Sequence, residues 1–390
     1  PSPTIGAMQV SGSLVEGGAT IVRLTPKREP EEGLMDKPTF QYHPVRYAKS
    51  MRPAFEMTAE QLEGHSDGDR EELGNLLAST IFGGVAQELI EADPHPTVPA
   101  NREAWGEYKE ALFSFYQDYL AHGENIFHVQ PALANMFTKT DVDPIVIEQL
   151  PLPFESFYLH FGQLEGLQVE RKKIDGAYVT KAPQEEALMV CFTTIDQFLD
   201  YTPILPVAQF LNSDEHLEFV LGGEPGLTVG ESIKSALNDF QRVEHLREIY
   251  SRWESAFPAA TRLLVNALCY LGSPHREISE RFPNDTPKTI TRKYASATNP
   301  KQRDRVLSKA EAQGFRRIKF LGDSIQGTVA PGSGDEVSPH WRRGHWRNQA
   351  YGSERKQHRL VWIQPTIVKG DQGPPVKGKH LYDVDDKAAE

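Results

Sequence analysis

The spacing of apolar residues changes at Ile145, and that change limits the folds open to the chain. From Ile145 to Thr194 the sequence runs IVIEQL, SFYLHFG, LQVERKKI, GAYVTKA and ALMVCFTT, short segments rich in β-branched and aromatic residues and bounded by Gly or Pro. Such runs commit this stretch to strands of an antiparallel sheet. Asp175 and Gly176 read as a tight turn between two of them. His160, inside FYLHFG, reads as a satisfied strand histidine, because no second His, Cys or carboxylate stands at metal-ligand spacing.

Helical spacing flanks the strands on both sides. Ser66 or Asp67 can cap a helix carrying Leu73, Leu76, Leu77, Ile81, Val85 and Leu89, which Pro94, Pro96 and Pro99 then interrupt. A second helix, about Arg102 to His122, carries Trp105, Tyr108, Leu112, Phe115, Tyr116 and Tyr119 as an aromatic stripe that reads as core. After the strands, residues 230–256 place Ile233, Leu237, Phe240, Val243, Leu246 and Ile249 on one side of a helix with an acidic first turn. AATRLLVNALCYLG is apolar on most faces and ends at Gly272, so it is expected to be deeply buried. Helices, sheet and helices without regular βαβ alternation make the class α+β: a helical N-terminal region, a central antiparallel sheet, further helices and a small basic C-terminal β module.

Composition shifts divide the chain further. Residues 1–65 read as a partly ordered arm with LVEGGATIVRL as its one strand pair, and 66–272 as an acidic α+β body. Residues 273–322 form a basic connecting segment ending in the strand RRIKFLG, 323–338 a Gly/Ser/Pro/acid linker, 339–369 the basic β module and 370–390 a frayed tail. Cys191 and Cys269 sit in apolar runs, which fits buried thiols in a reducing cytoplasm better than a disulfide framework. No run approaches the length of a membrane span, and no membrane partner is expected. There is no Walker or dinucleotide glycine loop, no HExxH, no paired CxxC and no GxSxG, so no cofactor or metal is implied.

Charge is distributed unevenly. Residues 288–369 hold 17 Lys/Arg against 6 Asp/Glu, so a chain of net charge −12 divides into +11 there and −23 elsewhere. Within that region His340–Gln349 reads HWRRGHWRNQ. Arg342, Arg343 and Arg347 offer planar forks for phosphate, Trp346 a face for a base, and His345 a proton near neutral pH; Arg355, Lys356 and Arg359 lie one loop away. These residues are the candidate RNA- or phosphate-binding set. A hairpin that brought His345 near His358, or His340 into the same site, would suit metal-independent ribonuclease chemistry by general acid and base. Two structural readings stand beside these: the basic region docks on an acidic surface of its own chain or a partner, or Trp341, Trp346 and Trp362 form the core of a small module that the arginines ring.

The helix LLVNALCYLGS, the strand motif LPLPFESFYLHF and PHWRRGHWRNQAYG followed by RLVWIQPTIVKG together resemble a family of phage and plasmid proteins. That family includes a type V-A anti-CRISPR inhibitor that lowers production of the CRISPR nuclease instead of blocking the finished enzyme. The resemblance spans roughly residues 145–369 and rests chiefly on the terminal motif. It implies translation-coupled silencing, in which the emerging N-terminal peptide of a target is recognised and the encoding message destroyed. His340, Trp341, Arg342, Arg343, Gly344, His345, Trp346 and Arg347 carry over as its signature, extended here by Asn348 and Gln349. The partners so implied are a target protein or nascent peptide, and RNA or the ribosome.

Overall fold

The computed structural model describes residues 8–14, 20–26, 42–62, 82, 102–162, 164–182, 187–196, 207–243, 247–284, 286–325, 340–342, 344–352, 357–363 and 366–368. An antiparallel pair, β1 (Met8–Leu14) and β2 (Thr20–Pro26), precedes α1 (His43–Leu62) and α2 (Arg102–Ala121). Then come β3 (Ile126–Val129), α3 (Pro131–Phe137), β4 (Thr140–Asp141), a 3-10 turn Ile147–Gln149 and β5 (Ser156–His160). The short β6 (Gln168–Val169) leads into the long β7 (Lys172–Lys181) and β8 (Ala187–Asp196), followed by α4 (Val207–Ser213) and β9 (His216–Gly222). Three helices follow: α5 (Val229–Phe240), α6 (Arg247–Trp253) and α7 (Phe257–Gly272). The chain continues through β10 (Ile278–Arg281), α8 (Lys288–Ala295), α9 (Pro300–Ala312) and β11 (Ile318–Leu321). It closes with β12 (His340–Arg342), β13 (Gly344–Tyr351), β14 (Gln357–Ile363) and β15 (Thr366–Val368).

The class is α+β, and the sheet at its centre is mixed. Strand order is β10-β11-β3-β5-β7-β8-β9, with β6 paired to β7. The run β5-β7-β8 is antiparallel, as the sequence predicts, and β9 extends it antiparallel, but β11 and β5 both lie parallel to β3. A parallel neighbour needs a long crossover, and the partner of β3 comes from almost two hundred residues downstream. Periodicity within a segment carries no information about such a partner.

Each face of the sheet is covered by helices. Phe157, Leu159, Val179, Val190, Phe192 and Phe219 face α5, α6 and α7, with Trp253 and Phe257 wholly buried among them. Tyr158, Tyr178 and Cys191 alternate to the other face, under α1, α2 and α4. The aromatic stripe of α2 is core as expected, and Cys191 and Cys269 are buried free thiols. Helix α5 opens on a capping box: Thr228 accepts from the Glu231 amide while Glu231 accepts from that of Thr228.

Several local expectations change. Asp175 and Gly176 are not a turn: both lie inside β7, where a bulge between Ile174 and Gly176 lets Asp175 face the helices. A Cβ at Gly176 would overlap the Leu159 carbonyl and the Tyr158 ring, so the glycine answers a close approach rather than a reversal. IVIEQL forms a 3-10 turn with one bridge, Val146 to Thr228, in place of a strand. Residues 43–62, read as arm, form α1, whose Tyr47, Met51 and Ala54 are buried. Pro53 and the buried polar groups His43 and Ser50 interrupt the apolar pattern that would have revealed it. The helix expected from Ser66, apart from Phe82, and most of the 323–338 linker lie outside the described residues.

Candidate functional site at the C-terminal strand pair

The hairpin expected around HWRRGHWRNQ forms as β13 and β14, and it does not stand alone. Gly344 and His345 pair in parallel with Thr140 and Asp141 of β4, which makes a three-stranded sheet, and the Gly344 amide donates to the Lys139 carbonyl at 3.1 Å. Trp346 and Trp362 stand opposite each other in the ladder with ring centroids 6.1 Å apart. The Trp346 Nε1 donates to Asn266 Oδ1 at 2.8 Å, and the Trp362 Nε1 donates to Thr140 Oγ1 at 3.3 Å. Trp362 also packs on Phe137 and Tyr270, at 5.4 and 5.8 Å between centroids.

Asn266 organises this seam. It lies wholly buried on α7, and its Nδ2 donates to the carbonyls of Phe137 and Thr140, each at 3.1 Å. Its amide therefore ties α7, the loop before β4, and β13 together, and a buried amide so fully paired is a strong positional constraint. Trp346 and Trp362, with Leu360, belong to the edge of the main core rather than to a separate one. The ring of Trp346 is half-buried against the body, and a base approaching from solvent would meet the other face of the strand pair.

That other face mixes exposed polar residues with the half-buried Val361 and Ile363, which stand opposite Arg347 and His345. His345 and Arg347 on β13 and Arg359 on β14 are open to solvent, and Gln349 stands directly opposite Arg359. Arg347 Nη2 donates to Gln349 Oε1 at 3.0 Å, and the Arg359 guanidinium lies 4.9 Å over the ring of the exposed Tyr351. From His345 to Gln349 this row extends about 14 Å. Asn348 is also exposed. His340, Trp341 and Arg342 form β12 and pair with Val368, Ile367 and Thr366 of β15. Arg343, Arg355 and Lys356 lie outside the described residues.

The pairing of two histidines is not met. His345 is opposite Ile363 and His358 opposite Ala350. Five residues of strand separate the two, about 17 Å of backbone, so they cannot serve one scissile bond as acid and base. A hairpin was the right element, but its register decides which residues meet.

A second polar cluster lies where the sequence shows no sign of one, between the sheet and helices α1 and α2. His43 Nε2 donates to Asp214 Oδ1 at 2.8 Å, and its Nδ1 accepts from the Tyr178 hydroxyl at 3.0 Å. The Lys109 ammonium donates to the Asp214 carbonyl, and His216 Nδ1 stands 3.6 Å from Asp214 Oδ2. Arg46 donates to Asp175 Oδ2 at 2.8 Å, and the Thr193 hydroxyl to Asp175 Oδ1 at 2.7 Å. Nearby, Glu215 accepts from Lys172 at 3.1 Å and lies in an ion pair with Arg252 at 3.3 Å.

Burial and pairing oppose each other here. Burial raises the carboxyl of Asp214, but His43, His216 and Lys109 outweigh it and hold the group well below the usual carboxylate range. Burial lowers Lys109 to about 8 and His216 to about 4. His160, buried beside His128 and Tyr42, is likewise lowered by burial to about 4. With His43, Asp214 and His216 at 0–2% side-chain exposure, the cluster presents no reacting atom to solvent, and its geometry is that of an internal lock. No spacing rule could find it, because His43, Lys109, Asp175 and Asp214 come from four distant segments. Among the described residues, no three His, Cys, Asp or Glu are grouped to hold a metal ion, and no helix is long and apolar enough to cross a membrane.

Residues 127–370, more than half of the chain and including the whole β13–β14 pair, match the model of the AcrVA2-like family, the anti-CRISPR type V subtype A2 family. The chain belongs to that family. A crystal structure of AcrVA2 is similar at 15% identity, covering 83% of this chain and 95% of that one, with a TM-score of 0.33. No curated protein matches. As an AcrVA2-like protein the chain is an anti-CRISPR-like protein of mobile elements, and the family match takes in the signature His340–Arg347 that the sequence singles out.

Proposed function

We propose that this AcrVA2-like protein recognises a target protein, or its N-terminal peptide as it emerges from the ribosome, and engages RNA or a ribonucleoprotein so that expression of the target falls. The site of action is the cytoplasm of the host cell. The observation that supports this reading is the family match over residues 127–370, joined to the exposed row of His345, Arg347 and Arg359 on a strand pair anchored rigidly to the body. In this reading the acidic body presents the surface for the target. The basic residues Arg342, Arg343, Arg347, Arg355, Lys356 and Arg359, with His345, meet phosphate, while Trp346 holds the strand pair in place.

The test is expression of a type V-A nuclease gene in cells with and without the chain, following message and protein separately. The expected result is loss of both, abolished when the first codons are recoded to a different peptide and reduced in an Arg342→Ala/Arg347→Ala/Arg359→Ala chain. Message and protein that persist unchanged, with or without inhibition of the finished nuclease, would overturn the reading. Chelator-resistant cleavage of naked RNA that disappears in His345→Ala would instead support a ribonuclease.

A further inference from the structure

The basic residues between Arg281 and Lys319 fall into two groups. On the sheet side they are held within the chain: Arg281 by Asp323 at 3.1 Å, Arg316 by Glu124 at 2.6 Å, Arg317 by Glu280 at 3.4 Å and Lys319 by Asn125 Oδ1 at 2.6 Å. On the helical pair they are not. Lys288 and Arg292 of α8, and Lys301, Arg303, Arg305 and Lys309 of α9, are exposed, and none has a carboxylate within 4.0 Å among the described residues.

Packing fixes which way these side chains face. Ile290, Ala310, Phe282 and Phe315 form a small core of their own, with Tyr294, Val306 and Leu307 against it. Lys301, Arg305 and Lys309 recur every four residues on the side of α9 away from Val306 and Ala310, a stripe about 12 Å long. Lys288 and Arg292 repeat the same spacing on α8. Asn299 caps α9 by accepting from the Gln302 amide, so the stripe sits on a helix with a firm start. Residues 288–312 carry seven Lys/Arg against two Asp/Glu, a balance of +5, and the rest of the chain then holds −17.

We infer that the outward face of the α8–α9 pair docks on the phosphate backbone of RNA. This deepens the reading under Proposed function and rests on its RNA component. A protein partner would need an apolar anchor at the centre of the patch. The large hydrophobic residues exposed among the described residues are Leu120, Phe154, Val220, Ile278 and Tyr351, none of them on this face. Phosphate needs only charge at suitable spacing, and within about 12 Å one strand of a duplex offers three or four phosphates. The acidic N-terminal body repels a polyanion and so orients it toward the basic C-terminal region in which this pair lies.

The test is fluorescence anisotropy of the full chain with a labelled single-stranded RNA of about 20 nucleotides, its RNA duplex and the matching DNA duplex, at low salt and at about 200 mM. The expected result for Lys301→Gln/Arg305→Gln/Lys309→Gln is a loss of RNA affinity of about tenfold or more at low salt, and a salt dependence flatter by about two in log–log slope. Lys301→Arg/Lys309→Arg should bind as the parent does, and unchanged thermal unfolding of both variants shows the fold intact. Equal binding of DNA supports a reader of backbone; DNA bound more tightly than RNA overturns the assignment. Parent-like RNA binding by the triple variant, with binding lost in Arg342→Ala/Arg347→Ala/Arg359→Ala, overturns the helical face and leaves the RNA reading standing. A parent chain that binds no RNA at low salt overturns both, and polyglutamate of matched length competing as well as RNA overturns the phosphate chemistry.

Discussion

The two faces of the central sheet are buried by different chemistry. Toward α5, α6 and α7 the contacts are apolar, with Phe192, Phe219 and Phe257 within 4.7–6.4 Å of one another by ring centroid. Toward α1, α2 and α4 the same strands offer Tyr158, Asp175 and Tyr178 to Arg46 and His43, and the chain leaving α4 adds Asp214. Apolar burial is non-directional, so the first face sets how strongly the layers hold together. Hydrogen bonds and ion pairs on the second face are directional, so that face sets which arrangement of α1 and α2 is accepted. Specificity of this kind makes the second face the more fragile one toward acid.

The largest effects should come from removing one partner of the lock or one ring of the apolar face. Asp214→Ala leaves His43, His216 and Lys109 buried without their carboxylate and should cost about 3–5 kcal/mol in urea unfolding at pH 7. Phe257→Ala on the apolar face should cost a similar 3–5 kcal/mol, roughly, with its cost the same at pH 5 as at pH 7. A loss under about 1 kcal/mol for Asp214→Ala would mean that the polar face does not lock the helices.

Acid should separate the faces next. His216 and His160 are held at about 4 in the folded chain, below the ordinary histidine value of 6.5. The unfolded chain therefore takes up protons first, and the stability these two contribute is complete above pH 6.5 and lost as pH falls toward 4. At pH 5 each should have surrendered about 2 kcal/mol. Denaturant midpoints measured from pH 7 to 5 should fall in the parent and flatten in His216→Asn, while Phe257→Ala keeps the parent slope; identical slopes in all three would remove His216 as a source.

Smaller effects test the strand pair against the body. Trp346→Phe keeps a ring against Trp362 but leaves Asn266 Oδ1 without its donor, and should cost about 1–2 kcal/mol, seen as faster hydrogen exchange over residues 344–363. Exchange unchanged from the parent would show that the ring alone seats the hairpin. The exposed Arg347→Ala should alter stability by no more than about 0.5 kcal/mol, so any loss of silencing in that variant reports on binding.

The helix α2, the apolar helix α7 and the strands β5, β7 and β8 were legible because each carries its own pattern, and so was the basic, Arg-rich character of the terminal hairpin. Helix α1 was hidden by Pro53 and by buried polar residues on its inner face. Asp175-Gly176 imitates a turn because the residues suited to reversals also suit a bulge with close backbone approach. The charge excess of residues 288–369 was visible as a sum, but which cations are paired within the fold and which remain bare was not.

By itself the amino-acid sequence determined the α+β class, the strongly patterned elements α2, α7, β5 and β8, and the signature that joins the chain to its family, because periodicity and motif are properties of neighbouring residues. Only the tertiary structure decided that β3 lies between two parallel partners, that Trp346 is tied to Asn266, and that His345 and His358 stand apart. It alone brought His43, Asp214 and His216 together. Those outcomes depend on register and on contacts between segments far apart in the chain, where the energy of each pairing is set by a partner that no local pattern contains.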